Sequence, residues 1–132
     1  MPQVTYTCSA CGRLAKYGHI DSLCLECFSK THSPREIRIR KNQESLFDYL
    51  NDKECADCGE ADSRVLQFDH VYGGKLANVA EMVSAGYSWD TILSEIAKCE
   101  VVCANCHVRR SAERGGYWRS NLTTDAGLDS ED

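Results

Sequence analysis

Four cysteine pairs with the same two-residue gap constrain what this chain can fold into more than any other feature. The pairs are Cys8/Cys11, Cys24/Cys27, Cys55/Cys58 and Cys103/Cys106. Joining neighbouring pairs in chain order gives two groups of four thiolates, and four thiolates complete a tetrahedral structural zinc site. Buried thiols without a metal would not explain the repeated spacing, and a rubredoxin-like iron site is the alternative metal. We therefore expect two structural Zn²⁺ ions.

The length and the N-terminal sequence narrow the class of protein further. A chain of 132 residues is long enough for one or two small domains, and domains of this size often depend on metals because they bury little apolar surface. The first residues, MPQVTYTCSACGR, contain no apolar segment of a signal peptide, and no run is long enough to span a membrane. We expect a cytoplasmic protein with reduced, metal-bound thiols and no membrane partner.

Charge is unevenly distributed along the chain. The formal net charge of −5 weakly disfavours a nucleic-acid partner, but basic residues concentrate in REIRIRK (35–41) and in HVRRSAERGGYWR (107–119). Residues 120–132, which end in DAGLDSED, are predicted to be a disordered acidic tail. Any contact with DNA is therefore local, and its candidate residues are Arg35, Arg38, Lys41, Arg109, Arg110 and Arg114. For the basic residues of 35–41, an ordinary solvated helix face is an equally good interpretation.

The segment that follows the first four cysteines is predicted to be a basic linker helix. Ser33 is the expected N-cap, Pro34 is the first helical residue, and Glu36 completes a capping box. The resulting organisation is an N-terminal zinc module (1–33), the linker helix (34–53), a second zinc domain (54–119) and the acidic tail (120–132).

The second zinc domain is predicted to mix short strands with helices. RVLQFDH has the apolar and β-branched character of a strand, and EVVC is either a second strand or the entrance to the zinc-binding turn. Of the two helices between them, one ends at Gly86 and the other is capped by Ser88. The second of these helices has its large apolar residues roughly on one side: Trp89, Ile92, Leu93 and Ile96. A last helix should run from about Asn105 to Gly115, which makes the fold class a small, zinc-stabilised α+β protein.

Three side chains beside the second cysteine group are suited to chemistry rather than to structural zinc. Asp69 and His70 follow Cys58 closely, and His107 comes directly after Cys106. Asp69 offers an oxygen and His107 a nitrogen to a second, exchangeable divalent ion, and His70 is then the candidate general base for hydrolysis. Because adjacent residues of a regular strand face opposite sides, the strand must bend or end at Asp69 and His70.

The helix after His107 adds a consistent detail. His107, Arg110 and Arg114 are spaced i, i+3 and i+7, so they share one helix face. A cation and two guanidiniums in a row suit a helix laid along a phosphate backbone. The arginines alone would be interpreted as a solvated surface, and it is their helical phase with His107 that favours contact with DNA.

The segments CADCG, LQFDHVYGGK and CEVVCANCH together resemble the HNH endonucleases, or ββα-metal nucleases, over residues 54 to about 114. The resemblance implies a treble-clef-like ββα-metal fold, with His70 as the general base. It assigns Asp69 and His107 as ligands of one divalent ion, commonly Mg²⁺ or Mn²⁺. It also implies DNA cleavage that leaves 5′-phosphate and 3′-hydroxyl ends. The N-terminal zinc module makes the layout similar to small HNH proteins of bacteriophages and prophages, which implies the bacterial host cytoplasm, with phage packaging or recombination proteins as partners.

One position departs from that family's pattern. The middle asparagine, which pins the connecting loop, usually lies a few residues before the last CxxC, where this chain has Lys98 and Cys99. Asn78 comes too early, and Asn105 lies inside the zinc-binding turn. Cys99 is the expected substitute, as a packing residue.

Two other functions remain open beside the leading one. A non-enzymatic zinc protein that binds DNA or another protein would account for the cysteines but not for Asp69, His70 and His107. Within enzymes, the nearest rival is a Holliday-junction resolvase like recombination endonuclease VII, in which the last CxxC is followed by asparagine. The leading prediction is a metal-dependent DNA endonuclease that nicks as a monomer or cuts both strands as a dimer.

Overall fold

The computed structural model describes residues 5–15 and 22–115, so the acidic tail predicted at 120–132 lies outside the described residues. The elements in chain order are β1 (Tyr6–Thr7), β2 (Leu14–Ala15), α1 (Leu25–Thr31), α2 (Pro34–Leu50), β3 (Leu66–His70), α3 (Val79–Ala85), α4 (Trp89–Ile96), β4 (Cys99–Cys103) and α5 (Ala104–Glu113). The predicted class, a small α+β protein with two four-cysteine groups, is confirmed. None of the described helices combines the length and the apolar character needed to cross a membrane.

Helix α2 begins where the sequence predicts. The Ser33 side chain accepts a hydrogen bond from the Glu36 N–H at 3.2 Å, and the Glu36 carboxylate accepts one from the Ser33 N–H at 2.8 Å. Pro34 occupies the first helical turn, where its missing N–H costs nothing. The predicted capping box is therefore confirmed.

One side of α2 holds the N-terminal zinc module, in which β1 and β2 form a short antiparallel hairpin. Arg40 on α2 is 3% exposed, and its guanidinium donates to the Tyr6 hydroxyl at 3.0 Å and to the Leu23 carbonyl. The same guanidinium lies 4.8 Å from the centre of the Phe28 ring. Arg40 thus fastens the module to the helix.

The other side of α2 holds the C-terminal end of α3. Arg35 and Arg38 donate to the carbonyls of Ala85 and Gly86 at 3.4 and 3.1 Å, and the buried Asn42 amide donates to the Tyr87 carbonyl at 2.8 Å. These carbonyls are left over where a helix ends, so the two arginines act as a C-cap in this fold. Their predicted contact with DNA stays a prediction.

Strands β3 and β4 pair antiparallel in an unbroken register, from Leu66 opposite Cys103 to His70 opposite Cys99. The EVVC segment is therefore a strand and not only the entrance to a turn. Helix α5 starts directly after β4, because Cys103 is also the N-cap residue and its sulfur accepts the Cys106 N–H at 3.4 Å. The hairpin and α5 are thus joined at Cys103, a member of the second cysteine group.

The apolar core consists of two groups of buried residues. One lies around the second cysteine group: Leu50, Cys55, Leu66, Val102, Cys103 and Cys106. The other lies between α3 and α4: Val79, Met82, Val83, Ile92 and Ile96. Phe68 of β3 packs against both, so the strand that carries Asp69 and His70 joins the two halves of the core.

Helix α4 differs from the prediction at one position on its buried face. Ile92 and Ile96 are buried as expected, and Gly86 and Ser88 are the helix-end residues predicted from the sequence. Leu93, however, is 37% exposed, whereas Glu95 is only 2% exposed. Apolar patterning alone would put a glutamate toward solvent, and Glu95 is instead buried because it has polar partners inside the fold.

Candidate metal and catalytic centre

Both cysteine groups have the geometry of tetrahedral zinc sites. Within each group the four sulfurs lie within 4.8 Å of one another, which confirms the pairing in chain order. The Cys11–Cys24 and Cys58–Cys103 sulfurs are 3.8 and 3.7 Å apart. Four sulfurs at about 2.3 Å from one Zn²⁺ would be separated by about 3.8 Å at tetrahedral angles. Each group can therefore hold a structural zinc ion.

The second cysteine group ties a loop to the start of α5. Cys55 and Cys58 lie in the turn after α2, and the backbone of that turn is bonded to β4 through the Ala56 N–H and the Val101 carbonyl at 2.9 Å. The Arg109 guanidinium lies 3.7 Å from the Cys106 sulfur, where its charge offsets part of the negative charge of a tetrathiolate site. The group therefore fixes where the first turn of α5 stands relative to the hairpin.

Asp69 and His107 are brought together beside this group. Asp69 on β3 is 2% exposed, and its Oδ1 lies 3.6 Å from Nε2 of His107 in the first turn of α5. His107 Nδ1 is 2.8 Å from the side-chain oxygen of Gln67, which is an acceptor, so Nδ1 donates; whenever the ring is neutral, its lone pair is therefore on Nε2, the nitrogen nearest to Asp69. Two lone pairs directed at one region are what a cation requires.

The oxygens of Asp69 also accept hydrogen bonds from two arginines of α5. Arg110 donates to Oδ2, and Arg114 donates to both Oδ1 and Oδ2, each at 2.7 Å. The bonds from Arg114, and then those from Arg110, lower the pKa of Asp69 to about 2, although burial acts in the opposite direction. Asp69 is therefore a carboxylate at any ordinary pH.

The two arginines differ in how far they are committed to the fold. Arg110 also pairs with Asp57 at 2.7 Å and Glu100 at 2.8 Å, contacts that raise its pKa, and its side chain is only 17% exposed. Arg114 follows the last residue of α5 and is 49% exposed. The predicted common face of His107, Arg110 and Arg114 is present, but it is directed at Asp69. Contact of these arginines with DNA stays a prediction.

His70 is held by a different part of the molecule. Its Nε2 lies 2.8 Å from Oε2 of Glu95 on α4, and its side chain is 13% exposed. The strand does not bend at Asp69, since the pairing continues to His70, the last residue of β3. His70 and His107 nevertheless line one cavity of about 360 Å³, whose other walls include Leu50, Phe68 and Val79.

Within the part of the chain that the structure describes, only the cysteine groups bring three or more ligand side chains within 4.8 Å of one another. Asp69, His70 and His107 therefore do not make a three-ligand cluster. The geometry separates them into a pair, Asp69 with His107, and a histidine that shares the cavity but is bonded elsewhere. Of the three predicted site residues the structure thus brings only Asp69 and His107 into contact, and the roles of all three stay predictions.

Glu95 is a residue of this centre that sequence reasoning missed. Besides His70, its carboxylate accepts the Leu76 N–H at 2.9 Å and the Lys98 ammonium at 2.9 Å. The Lys98 bond first, and then the other contacts, lower the pKa of Glu95 to about 2. The available signal was weak: a glutamate three residues before a lysine at the end of a helix is common on protein surfaces.

Lys98 holds the loop that follows His70, whereas from the sequence we expect Cys99 to substitute there as a packing residue. The Lys98 ammonium donates to the Gly74 carbonyl at 2.8 Å, and the Lys98 carbonyl accepts the N–H groups of Val71 and Tyr72 at 2.9 Å. Cys99 is half-buried and packs against the α3–α4 core group. Its predicted packing role is thus present, but the loop is pinned by Lys98.

Comparison of the chain with protein-family models, with curated proteins and with solved structures finds no significant match. The resemblance to the HNH endonucleases thus depends on the motifs alone.

Proposed function

We propose that the chain is a metal-dependent DNA endonuclease that hydrolyses phosphodiester bonds. The observation that carries the proposal is the Asp69–His107 contact, with Oδ1 3.6 Å from Nε2. Of this pair, His107 lines the same cavity as His70. A structural zinc ion with four thiolate ligands has a complete coordination shell, so these side chains are not needed as its ligands. A non-enzymatic zinc protein would leave this arrangement without a role.

Asp69 Oδ1 and His107 Nε2 are suitable ligands for a hard divalent ion, both in their separation and in their atom types. An oxygen and a nitrogen that each lie about 2.1 Å from one ion are between about 3.0 and 4.2 Å apart, depending on the angle between them. The observed separation of 3.6 Å lies in that interval. Oδ1 would have to exchange its bond from Arg114 for the ion. Arg114 is half exposed and can move, while Arg110 keeps Oδ2.

The chemistry divides between the ion and the side chains of this chain. When bound, Mg²⁺ or Mn²⁺ would stabilise the negative charge that develops on the phosphate. His70 takes the proton of the attacking water, a role in which histidine is the commonest side chain and contributes about 10²- to 10⁴-fold. Leu50, Phe68 and Val79 form an apolar part of the cavity wall.

Exposed basic side chains are the candidates for contact with the DNA backbone. Lys41, Arg109 and Arg114 are exposed, whereas the Arg110 side chain is largely covered. With a formal net charge of −5, the chain can offer only a few phosphate contacts. The proposed enzyme therefore binds DNA modestly, and its binding is sensitive to salt.

Nicking of supercoiled plasmid by the zinc-loaded chain, with Mg²⁺ or Mn²⁺ added, tests this function. We expect His70→Ala and His107→Ala to lose at least about 100-fold in rate while both retain two zinc ions per chain. His32→Ala is the matched control, because this histidine stacks on Phe28 in the N-terminal module. Unchanged nicking by both site variants would contradict the proposal.

The choice of substrate separates the proposed function from its rivals. Faster cleavage of a four-way junction than of linear duplex would identify the enzyme as a junction resolvase. DNA binding by the zinc-loaded chain without cleavage of plasmid, duplex or junction would instead support the non-enzymatic alternative.

A further inference from the structure

Glu95 is a buried carboxylate for which the proposed reaction has so far no use. Its two oxygens accept three hydrogen bonds from groups in different parts of the fold: the His70 ring, the Leu76 N–H and the Lys98 ammonium, at 2.8, 2.9 and 2.9 Å. A buried carboxylate is costly unless it is paired, and several bonds hold it in one orientation. The Glu95 carboxylate on α4 is therefore fixed in orientation, and its bond to His70 restrains the His70 ring.

Both oxygens of the buried Glu95 carboxylate have hydrogen-bond donors even without His70. Lys98 already pairs with Oε1, and the Leu76 N–H with Oε2, so each oxygen has a donor before His70 is considered. His70 also differs from Glu95 in that its side chain reaches the cavity wall. The main effect of the contact is therefore to orient the His70 imidazole, and it adds little to the stabilisation of the buried carboxylate.

We propose that Glu95 is a positioning residue that sets the tautomer of His70 for the nuclease reaction, an inference that rests on the proposed function. An ionised carboxylate can only accept hydrogen bonds, so the His70 Nε2 that faces it must carry the proton. The Nδ1 atom then holds the lone pair and is the nitrogen that accepts the proton of the attacking water. Substrate and water meet Nδ1, whereas Glu95 acts only through His70.

Lys98 extends the same arrangement to the neighbouring loop. Its ammonium bridges Glu95 and the Gly74 carbonyl at 2.9 and 2.8 Å. The end of β3, the loop after it and the last turn of α4 are thus connected through two side chains, Glu95 and Lys98. These three segments together determine the position of the His70 ring.

The tautomer can be observed without any assay of activity. In long-range ¹⁵N–¹H spectra of the zinc-loaded chain, recorded at a pH where the His70 ring is neutral, the ring should be the tautomer protonated at Nε2. Glu95→Gln keeps the shape of the side chain, and its amide can donate to Nε2 by giving up the Leu76 N–H, which shares Oε2 with His70 in the wild type. The form protonated at Nδ1 should then appear. Glu81→Gln, an exposed carboxylate on α3, is the control and should leave the spectrum unchanged.

Kinetics supply the second readout. Glu95→Gln should lower kcat of nicking by about 10- to 100-fold, the usual loss when a group that orients a catalytic side chain is replaced, with KM changed less than about threefold. A neutral wild-type His70 protonated at Nδ1 instead of Nε2 would overturn the inference even if Glu95→Gln does not fold. Loss of nicking in His70→Ala with wild-type kcat in Glu95→Gln would overturn this inference alone. Wild-type nicking by His70→Ala would instead overturn the proposed function.

Discussion

Replacing Arg40 by methionine tests whether α2 is an internal brace or a surface helix. The Arg40 guanidinium is 3% exposed and donates to Glu44 at 3.2 Å, to the Tyr6 hydroxyl at 3.0 Å and to the Leu23 carbonyl. Methionine keeps most of the apolar stem and removes every one of these donors. The substitution therefore isolates the polar link between the N-terminal module and the helix.

The size of the effect follows from burial on both sides of the ion pair. Removing one partner of a buried pair costs about 3 to 5 kcal/mol. The Glu44 side chain is 19% exposed, so water compensates part of the loss. We expect Arg40→Met to lower the free energy of unfolding by about 3 kcal/mol, a large part of the 5 to 15 kcal/mol that is typical of a domain.

Arg38→Met is the matched control on the same helix. Arg38 is exposed and donates one hydrogen bond, to the Gly86 carbonyl at 3.1 Å, so its loss should cost at most about 1 kcal/mol. Urea unfolding of the zinc-loaded variants gives both values. Hydrogen exchange should show the loss for Arg40→Met first in the N-terminal module. Equal effects of the two substitutions would contradict the role of Arg40 as a brace. They would support the interpretation of α2 as an ordinary solvated basic helix.

Four further substitutions, one of them a control, test other parts of the account. Gly86→Ala should lower stability by about 1 kcal/mol in thermal unfolding, because Gly86 has φ +80° and the nearest atoms to an added Cβ lie at 3.6 Å, which leaves only the backbone penalty. Gly74→Ala, which meets nothing within 4 Å, should be nearly neutral, and an equal loss would contradict this reasoning. Cys106→Ala should reduce the zinc content from two ions to one by mass spectrometry and should unfold the β3–β4 hairpin; two retained zincs would contradict the assignment of the site. Lys41→Ala should lower the salt dependence of DNA binding by about 0.9 in log–log slope if Lys41 contacts one phosphate, and an unchanged slope would remove it from the interface.

The features that were predictable from the sequence are those written in local patterns. The cysteine spacing fixes the ligand groups because a CxxC turn can bring both sulfurs to one ion. Ser33 and Glu36 predict the start of α2, and Gly86 predicts the end of α3, because helix caps depend on residues within one turn. The Asp69–His107 pair was also predictable, since both residues flank elements that the zinc ligands join.

The features that were missed depend on partners far apart in the chain. Arg40 meets Tyr6 across 34 residues, and Glu95 meets His70 across 25, so no local pattern distinguishes them from surface charges. The direction of Arg110 was missed for the same reason: its helical phase was right, but its carboxylate partners come from other elements. Buried polar residues are placed by tertiary pairing, which a periodicity argument does not contain.

The central claim is that Asp69 and His107 hold a second cation beside His70, and paramagnetic broadening by Mn²⁺ tests it most directly. In a titration of the zinc-loaded chain, the His107 ring protons and the neighbouring Gln67 side chain should broaden first. The His32 ring in the N-terminal module should stay sharp, and the selective effect at His107 should vanish in Asp69→Ala. Broadening that spreads over exposed carboxylates and leaves His107 unaffected would contradict the claim.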